Sequence, residues 1–141
     1  MKKGKKMERY KVILVDDEAE VIDMIEKKIH WNDLGFEVAG SATNGVKALE
    51  LVEKLQPDVV LTDIKMPYMD GLELSRRLNR EYPNIYIMLC TGFDEFEYAK
   101  EAVHLEIKEY MLKPVNATEL SESLTNLKHT LDREREEKLL S

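Results

Sequence analysis

The stretch Val12-Ile13-Leu14-Val15-Asp16-Asp17-Glu18 decides the fold. Its four apolar residues, three of them β-branched, form a short run without alternation, the pattern of a strand buried on both faces. Three acids end the run, and Val21, Ile22, Ile25 and Ile29 follow at helical spacing. Working outward, the same strand-then-helix unit recurs. Phe36-Glu37-Val38-Ala39-Gly40 alternates like a half-exposed strand, and after Asn44-Gly45 comes a helix carrying Ala48, Leu49, Val52 and Leu55. Pro57-Asp58 restarts the chain into Val59-Val60-Leu61, followed past Pro67 and Asp70-Gly71 by a helix with Leu74 and Leu78. Pro83-Asn84 breaks that helix, and a fourth strand (Ile85 to Cys90) precedes a fourth helix with Phe96, Ala99, Ala102 and Val103. Glu109-Tyr110-Met111-Leu112 is a short fifth strand. Asn116, Ala117 and Thr118 lead a last helix with Leu120, Leu124, Leu127 and Leu131.

Five β-then-α units predict an α/β fold, a five-stranded parallel sheet with helices on both faces, because parallel neighbours need crossover connections. The first, third and fourth strands are continuous apolar runs and belong at the centre. The second and fifth are mixed or short and belong at the edges. The strand order that results is 2-1-3-4-5, a flavodoxin-like three-layer sandwich whose ligand site lies outside the carboxyl ends of the strands.

Composition narrows the function. At 141 residues the chain is one domain. It has 28 acids against 21 bases and a formal charge of −7; four of the bases are Lys2, Lys3, Lys5 and Lys6, and without that tip the remainder carries −11. Such a field repels phosphate backbones, so no nucleic-acid binding is expected of this piece. No apolar run approaches the ~20 residues of a membrane span, and the basic start is not followed by a signal-peptide core. The single cysteine, Cys90, sits in an apolar run as a core thiol and suits a reducing compartment, so a cytoplasmic location is expected. His30, His104 and His129 are scattered without metal-ligand spacing.

The residues that immediately follow the strands carry the chemistry: Asp16 and Asp17 after the first, Thr62 and Asp63 at the third, Thr91 after the fourth, Lys113-Pro114 after the fifth. Only the fold can bring such distant residues to one rim. Asp16 and Asp17 could alternatively cap the first helix, and Asp63 or Lys113 alone would pass for a turn acid and a solvated lysine. Together, three carboxylates on one rim repel one another unless a cation is present. Mg²⁺ is held by one or two carboxylates and a phosphoryl oxygen while keeping several waters. An ammonium and a hydroxyl beside it complete a phosphoryl-transfer site with a carboxylate nucleophile.

Val15-Asp16-Asp17-Glu18, Leu61-Thr62-Asp63-Ile64-Lys65-Met66-Pro67-Tyr68-Met69-Asp70-Gly71, Thr91-Gly92 and Lys113-Pro114 resemble the response-regulator receiver domains of two-component systems. The resemblance implies that Asp63 is the phospho-acceptor, and that Asp16, Asp17, Asp63 and the backbone carbonyl of Lys65 hold Mg²⁺. It further implies that Lys113 pairs with the phosphate, that Thr91 and Tyr110 are switch residues, and that a cis bond precedes Pro114. Phosphorylation would change the face built by the helix after strand four, strand five and the last helix. His30-Trp31, Leu34-Gly35-Phe36, the stretch Thr62 to Gly71 and the run from Gly92 to Lys100 resemble the YesN-like receivers. These usually carry an AraC-type helix-turn-helix output domain and are paired with sensor histidine kinases. The resemblance covers residues 9–128. It implies a signalling switch and not an enzyme, catalysing only its own phosphotransfer and dephosphorylation. Lys65 and Phe93 offer no carboxylate or amide to orient a hydrolytic water, so self-dephosphorylation is expected to be slow.

Residues 1–8 read as an unstructured extension. Residues 129–141 read as a helical linker toward a missing output domain, or as a short dimerising stalk; a stand-alone receiver is the alternative to a piece of a longer regulator, and homodimerisation on phosphorylation is left open. A haloacid-dehalogenase-type phosphatase would want an acid where Lys65 stands. A flavin binder would want a phosphate-cradling loop where Asp16, Asp17 and Glu18 stand.

Overall fold

The computed structural model describes residues 8–92, 94–95 and 105–140. Their elements are β1 (Tyr10–Val15), α1 (Ala19–Lys28), α2 (Trp31–Leu34), β2 (Phe36–Ala42), α3 (Gly45–Leu55), β3 (Val59–Asp63), α4 (Gly71–Glu81), β4 (Tyr86–Thr91), β5 (Glu109–Leu112) and α5 (Ala117–Leu140). The expected helix around Phe96, Ala99, Ala102 and Val103, together with Phe93, His104 and the tip 1–7, lies outside the described residues.

All pairings between neighbouring strands are parallel, in the order β2-β1-β3-β4-β5. Burial follows the apolar runs: β3 is buried throughout, β1 and β4 nearly so, while β2 and β5 are mixed. Alternation along β1 divides the core in two. Val12 and Leu14 face a layer formed by Ile22 and Ile25 of α1 and Leu120, Leu124, Leu127 and Leu131 of α5. Ile13 and Val15 face the opposite layer, with Ala48 and Val52 of α3 and Leu74 and Leu78 of α4. The leucine seam of α5 is therefore spent inside the domain. The helix crosses residues 128–129 without a break.

Polar residues at the strand-to-helix turns set the helix starts. Asn44, Asp70 and Asn116 accept from the backbone N–H groups of Lys47, Glu73 and Glu119, each at 2.9 Å, satisfying donors the first turn leaves unpaired. The short helix α2 was not anticipated. Trp31 opens it, buried against Phe36 and Ile29, and Gly35 closes it at a φ of 92°, a conformation that favours glycine. No helix among the described residues is long and apolar enough to cross a membrane.

Candidate functional site

Parallel strands all end on one edge, so the residues after them meet there. Asp16 follows β1 and Asp63 ends β3; they are only 4% and 5% exposed. Asp17, one residue further on, is exposed. Each of the three offers a carboxylate oxygen, and these oxygens lie within 4.8 Å of one another. Lys113, just past β5, reaches across with its ammonium 3.3 Å from Asp16 Oδ2 and 3.2 Å from Asp63 Oδ2. Its own backbone N–H donates to the Thr91 carbonyl at 2.8 Å, which ties β5 to the end of β4. The bond between Lys113 and Pro114 is cis.

The remaining carboxylate oxygens are held by backbone. Asp63 Oδ1 accepts from Ile64 N and Asp16 Oδ1 from Glu18 N, both at 2.9 Å. The first residue before α1 is Glu18, which makes no side-chain cap, so the helix-capping account of Asp16 and Asp17 reduces to this one local bond of Asp16. Burial, followed by repulsion from Asp16, pushes the Asp63 carboxyl above the usual carboxylate range, although Lys113 pulls the other way. For Lys113 burial alone would lower the ammonium, but Asp63 and Asp16 outweigh it and the net direction is upward. Among the described residues the cluster thus has one cation for three acids, and one of those carboxyls, Asp63, resists ionising. An all-oxygen set short of positive charge is the donor chemistry of a hard divalent cation, and the residues fit Mg²⁺.

The other expected residues are placed differently. Thr91 is buried at the end of β4, and its hydroxyl donates to its own neighbour, the Gly92 carbonyl, at 3.0 Å. Tyr110 on β5 stands beside Leu89 and packs on Ile64, Leu72 and Leu89, the shell directly behind Asp63. The side chain of Lys65 points out of the cluster, 83% exposed and 3.8 Å from Glu95.

Three features had not been expected. Glu95 accepts from the Gly92 N–H at 3.2 Å while its own N–H donates to the Gly92 carbonyl, a reciprocal capping pair that fixes the turn after Thr91. Gly71 brings α4 against the Asp63 backbone, its N–H donating to the Ile64 carbonyl at 2.7 Å. The Asp70-Gly71 pair was the signal for that close approach. Cys90 lies beside the cluster, its thiol pushed up to about 12 by burial and then by the Asp63 charge.

Residues 12–125 match the family model described as the response regulator receiver domain. The chain is 42% identical over 125 residues to the uncharacterized transcriptional regulatory protein YesN of Bacillus subtilis, a match covering 89% of this chain and 34% of YesN. It is 34% identical over 122 residues to the transcriptional regulatory protein HptR of Staphylococcus aureus, covering 86% of this chain and 48% of HptR. It therefore spans a third to a half of the length of these relatives. Among solved structures, the REC domain of AraT, a response regulator from Geobacillus stearothermophilus, superposes with a TM-score of 0.85 at 39% identity, covering 89% of this chain and 98% of that one. A two component transcriptional regulator AraC from Clostridium phytofermentans gives 0.82 at 31% identity, covering 89% and 98%. With the fold, the rim of acids and lysine, and a family match across most of its length, the chain belongs to the response regulator receiver domains.

Proposed function

We propose that the domain is a phosphorylation switch in which Asp63 takes a phosphoryl group from a phosphohistidine of a sensor kinase. The observation that carries this is the Lys113 ammonium, 3.2 Å from Asp63 and 3.3 Å from Asp16. It marks the place where negative charge is gathered and then added to. An Asp63 oxygen forms the new O–P bond as the donor's P–N bond breaks, and the electron pair leaves with the imidazole nitrogen. Lys113 faces the oxygens that carry the charge, where stabilisation of phosphoryl transfer lies. Asp16, Asp17, Asp63 and the Lys65 carbonyl would hold Mg²⁺, which when bound supplies charge neutralisation at the transferring group.

Thr91 must give up its bond to the Gly92 carbonyl to reach a phosphoryl group, and Tyr110, packed directly behind Asp63, would feel that change. The output is a new affinity of the face formed by the segment after β4, β5 and α5, a two-state equilibrium biased by local charge. Residues 9–128 act as the receiver unit, and 129–141 lead toward a DNA-binding output domain of a longer protein. That protein would be a cytoplasmic transcriptional regulator, and this domain would make no DNA contacts of its own. The transcriptional part of this reading rests on the names of the relatives.

The test is phosphoryl incorporation from a small acyl phosphate with Mg²⁺, read by intact mass. Wild type should take up one group and Asp63→Asn none. Undiminished incorporation by Asp63→Asn would remove the assignment.

A further inference from the structure

Apolar burial along α5 stops at Leu131. Leu120, Leu124 and Leu127 are fully buried and Leu131 is 8% exposed, whereas Leu139 and Leu140 are 81% and 83% exposed. The helix nevertheless continues to Leu140. The nine residues beyond the last packed leucine extend a helix that is already nucleated, but without a packed face such an end frays readily. Something other than hydrophobic burial holds this arm.

Polar contacts at the turn after Leu131 do so. The Tyr10 hydroxyl donates to Asp132 Oδ1 at 2.6 Å, and the Arg135 guanidinium stands 4.4 Å from the centroid of the Tyr10 ring. The Tyr86 hydroxyl donates to Glu134 Oε2. Asp132 also takes the Lys128 ammonium at 2.7 Å, one turn back on the same helix. Tyr10 is the first residue of β1 and Tyr86 the first of β4, so both grips lie on the edge of the sheet opposite the carboxylates. Both phenols are pushed up to about 12, by burial first and by their carboxylate acceptors next, so they stay donors at any working pH. Burial would raise Asp132, but its bonds to Lys128 and Tyr10 outweigh that, and it remains the ionised acceptor. Glu134 and Arg135 also line a groove of about 1070 Å³ together with Asn84, Ile85 and Lys108.

We infer that Tyr10 and Tyr86 form a two-point latch that decides whether the last two turns of α5 ride rigidly on the domain or fray from it at Leu131. A hydrogen bond to an ionised carboxylate shifts such an equilibrium by roughly ten- to a hundredfold, less where the pair is exposed, as at Tyr86. That is strong enough to keep the arm docked and weak enough for a binding partner to release it. While the latch is closed, any segment that follows α5 in a longer chain leaves from a fixed point in a fixed direction. The latch stands on geometry alone and does not depend on the identity of the phospho-acceptor.

Residue-resolved amide hydrogen exchange on the full chain tests it, with wild type, Tyr10→Phe, Tyr86→Phe and the double variant. Phenylalanine keeps the Tyr10 ring in its buried seat, so only the hydroxyl is lost. Exchange of amides 133–138 should rise about tenfold in Tyr10→Phe. The rise should be smaller in Tyr86→Phe and largest in the double variant, with amides 120–131 unchanged. Amides 133–138 within about twofold of wild type in the double variant would overturn the latch. So would amides 120–131 rising in step, because the hydroxyls would then be holding the domain and not the arm.

Discussion

Replacing Lys113 by methionine keeps most of the apolar stem and removes the one positive charge that the described residues place among three carboxylates. At 3.2 and 3.3 Å, each ion pair is about 5 kcal/mol at an effective dielectric of about 20. That is a gross figure. The variant also recovers the cost of desolvating the ammonium, and water screens a side chain that is 26% exposed. Removing one partner of a buried pair costs ~3–5 kcal/mol, so the partly screened position here should lose about 2–4 kcal/mol. For a chain of this size that is a fall of roughly 10 °C in melting temperature.

The loss should depend on pH. Asp63 in the folded protein titrates above its ordinary value of 3.8, so the folded state holds the proton more tightly. Stability linked to this group is then greatest below 3.8 and lost as pH rises through the folded value. Without Lys113 the folded value climbs further, and the gap between variant and wild type opens as pH rises from 3.8 toward neutrality. Lys113 itself is shifted upward from 10.5, so wild type keeps the pairs throughout that range. Thermal melts by circular dichroism in a chelating buffer, from about pH 4 to pH 8, measure this directly. Added Mg²⁺ should narrow the gap. A melting temperature unchanged at pH 8, or a fall equally large at both ends of the range, would refute the reasoning.

Gly71→Ala places a methyl inside the envelope of the Asp63 carbonyl oxygen and 2.9 Å from Ile64 Cα, so β3 and α4 must part. The expected cost is about 1–3 kcal/mol by urea denaturation. Phosphoryl incorporation should fall by more than that stability loss explains, because the strand end that moves carries Asp63. Cys90 is buried and its thiol is pushed up to about 12. A thiol reagent at pH 8 should therefore label it only as fast as the protein unfolds, and stoichiometric labelling of the native protein within minutes would contradict the placement.

The strand order was legible because burial on two faces leaves a compositional mark. Val12–Val15, Val59–Leu61 and Ile85–Cys90 are continuous apolar runs, and they became the three central strands. The leucines of α5 were legible as a seam that packs on the sheet, as the fifth β-then-α unit required, but the seam did not show where that packing ends. Spacing marks the packed stripe over these twelve residues, while the polar contacts that hold the helix beyond it follow no repeat. Trp31–Leu34 is a single turn, too short to show a period. The latch was invisible for another reason: Tyr10 and Asp132 are 122 residues apart, Tyr86 and Glu134 are 48 apart, and polar pairs at such range follow no repeat. At the site, adjacency to strand ends located the acids without ranking them. Asp16 and Asp17 are neighbours in sequence, yet one is buried beside Lys113 and the other exposed.

That difference in depth bears on what the site can accept. With all groups in their usual ionised forms, the three acids and Lys113 leave a net charge of −2 in a place where two of the carboxylates are shut off from water. A monovalent ion leaves an excess negative charge at low dielectric, and a proton on Asp63 would remove the nucleophile that the proposed function requires. A divalent ion cancels the charge while leaving Asp63 ionised. If Asp63 takes a phosphoryl group, as proposed, its single charge is replaced by roughly two, and the same ion together with Lys113 would keep the site within about one charge of neutral. Electrostatics alone therefore favours a divalent cation in both states. The raised Asp63 carboxyl is the measurable sign of its need, and that carboxyl should move down when the ion binds.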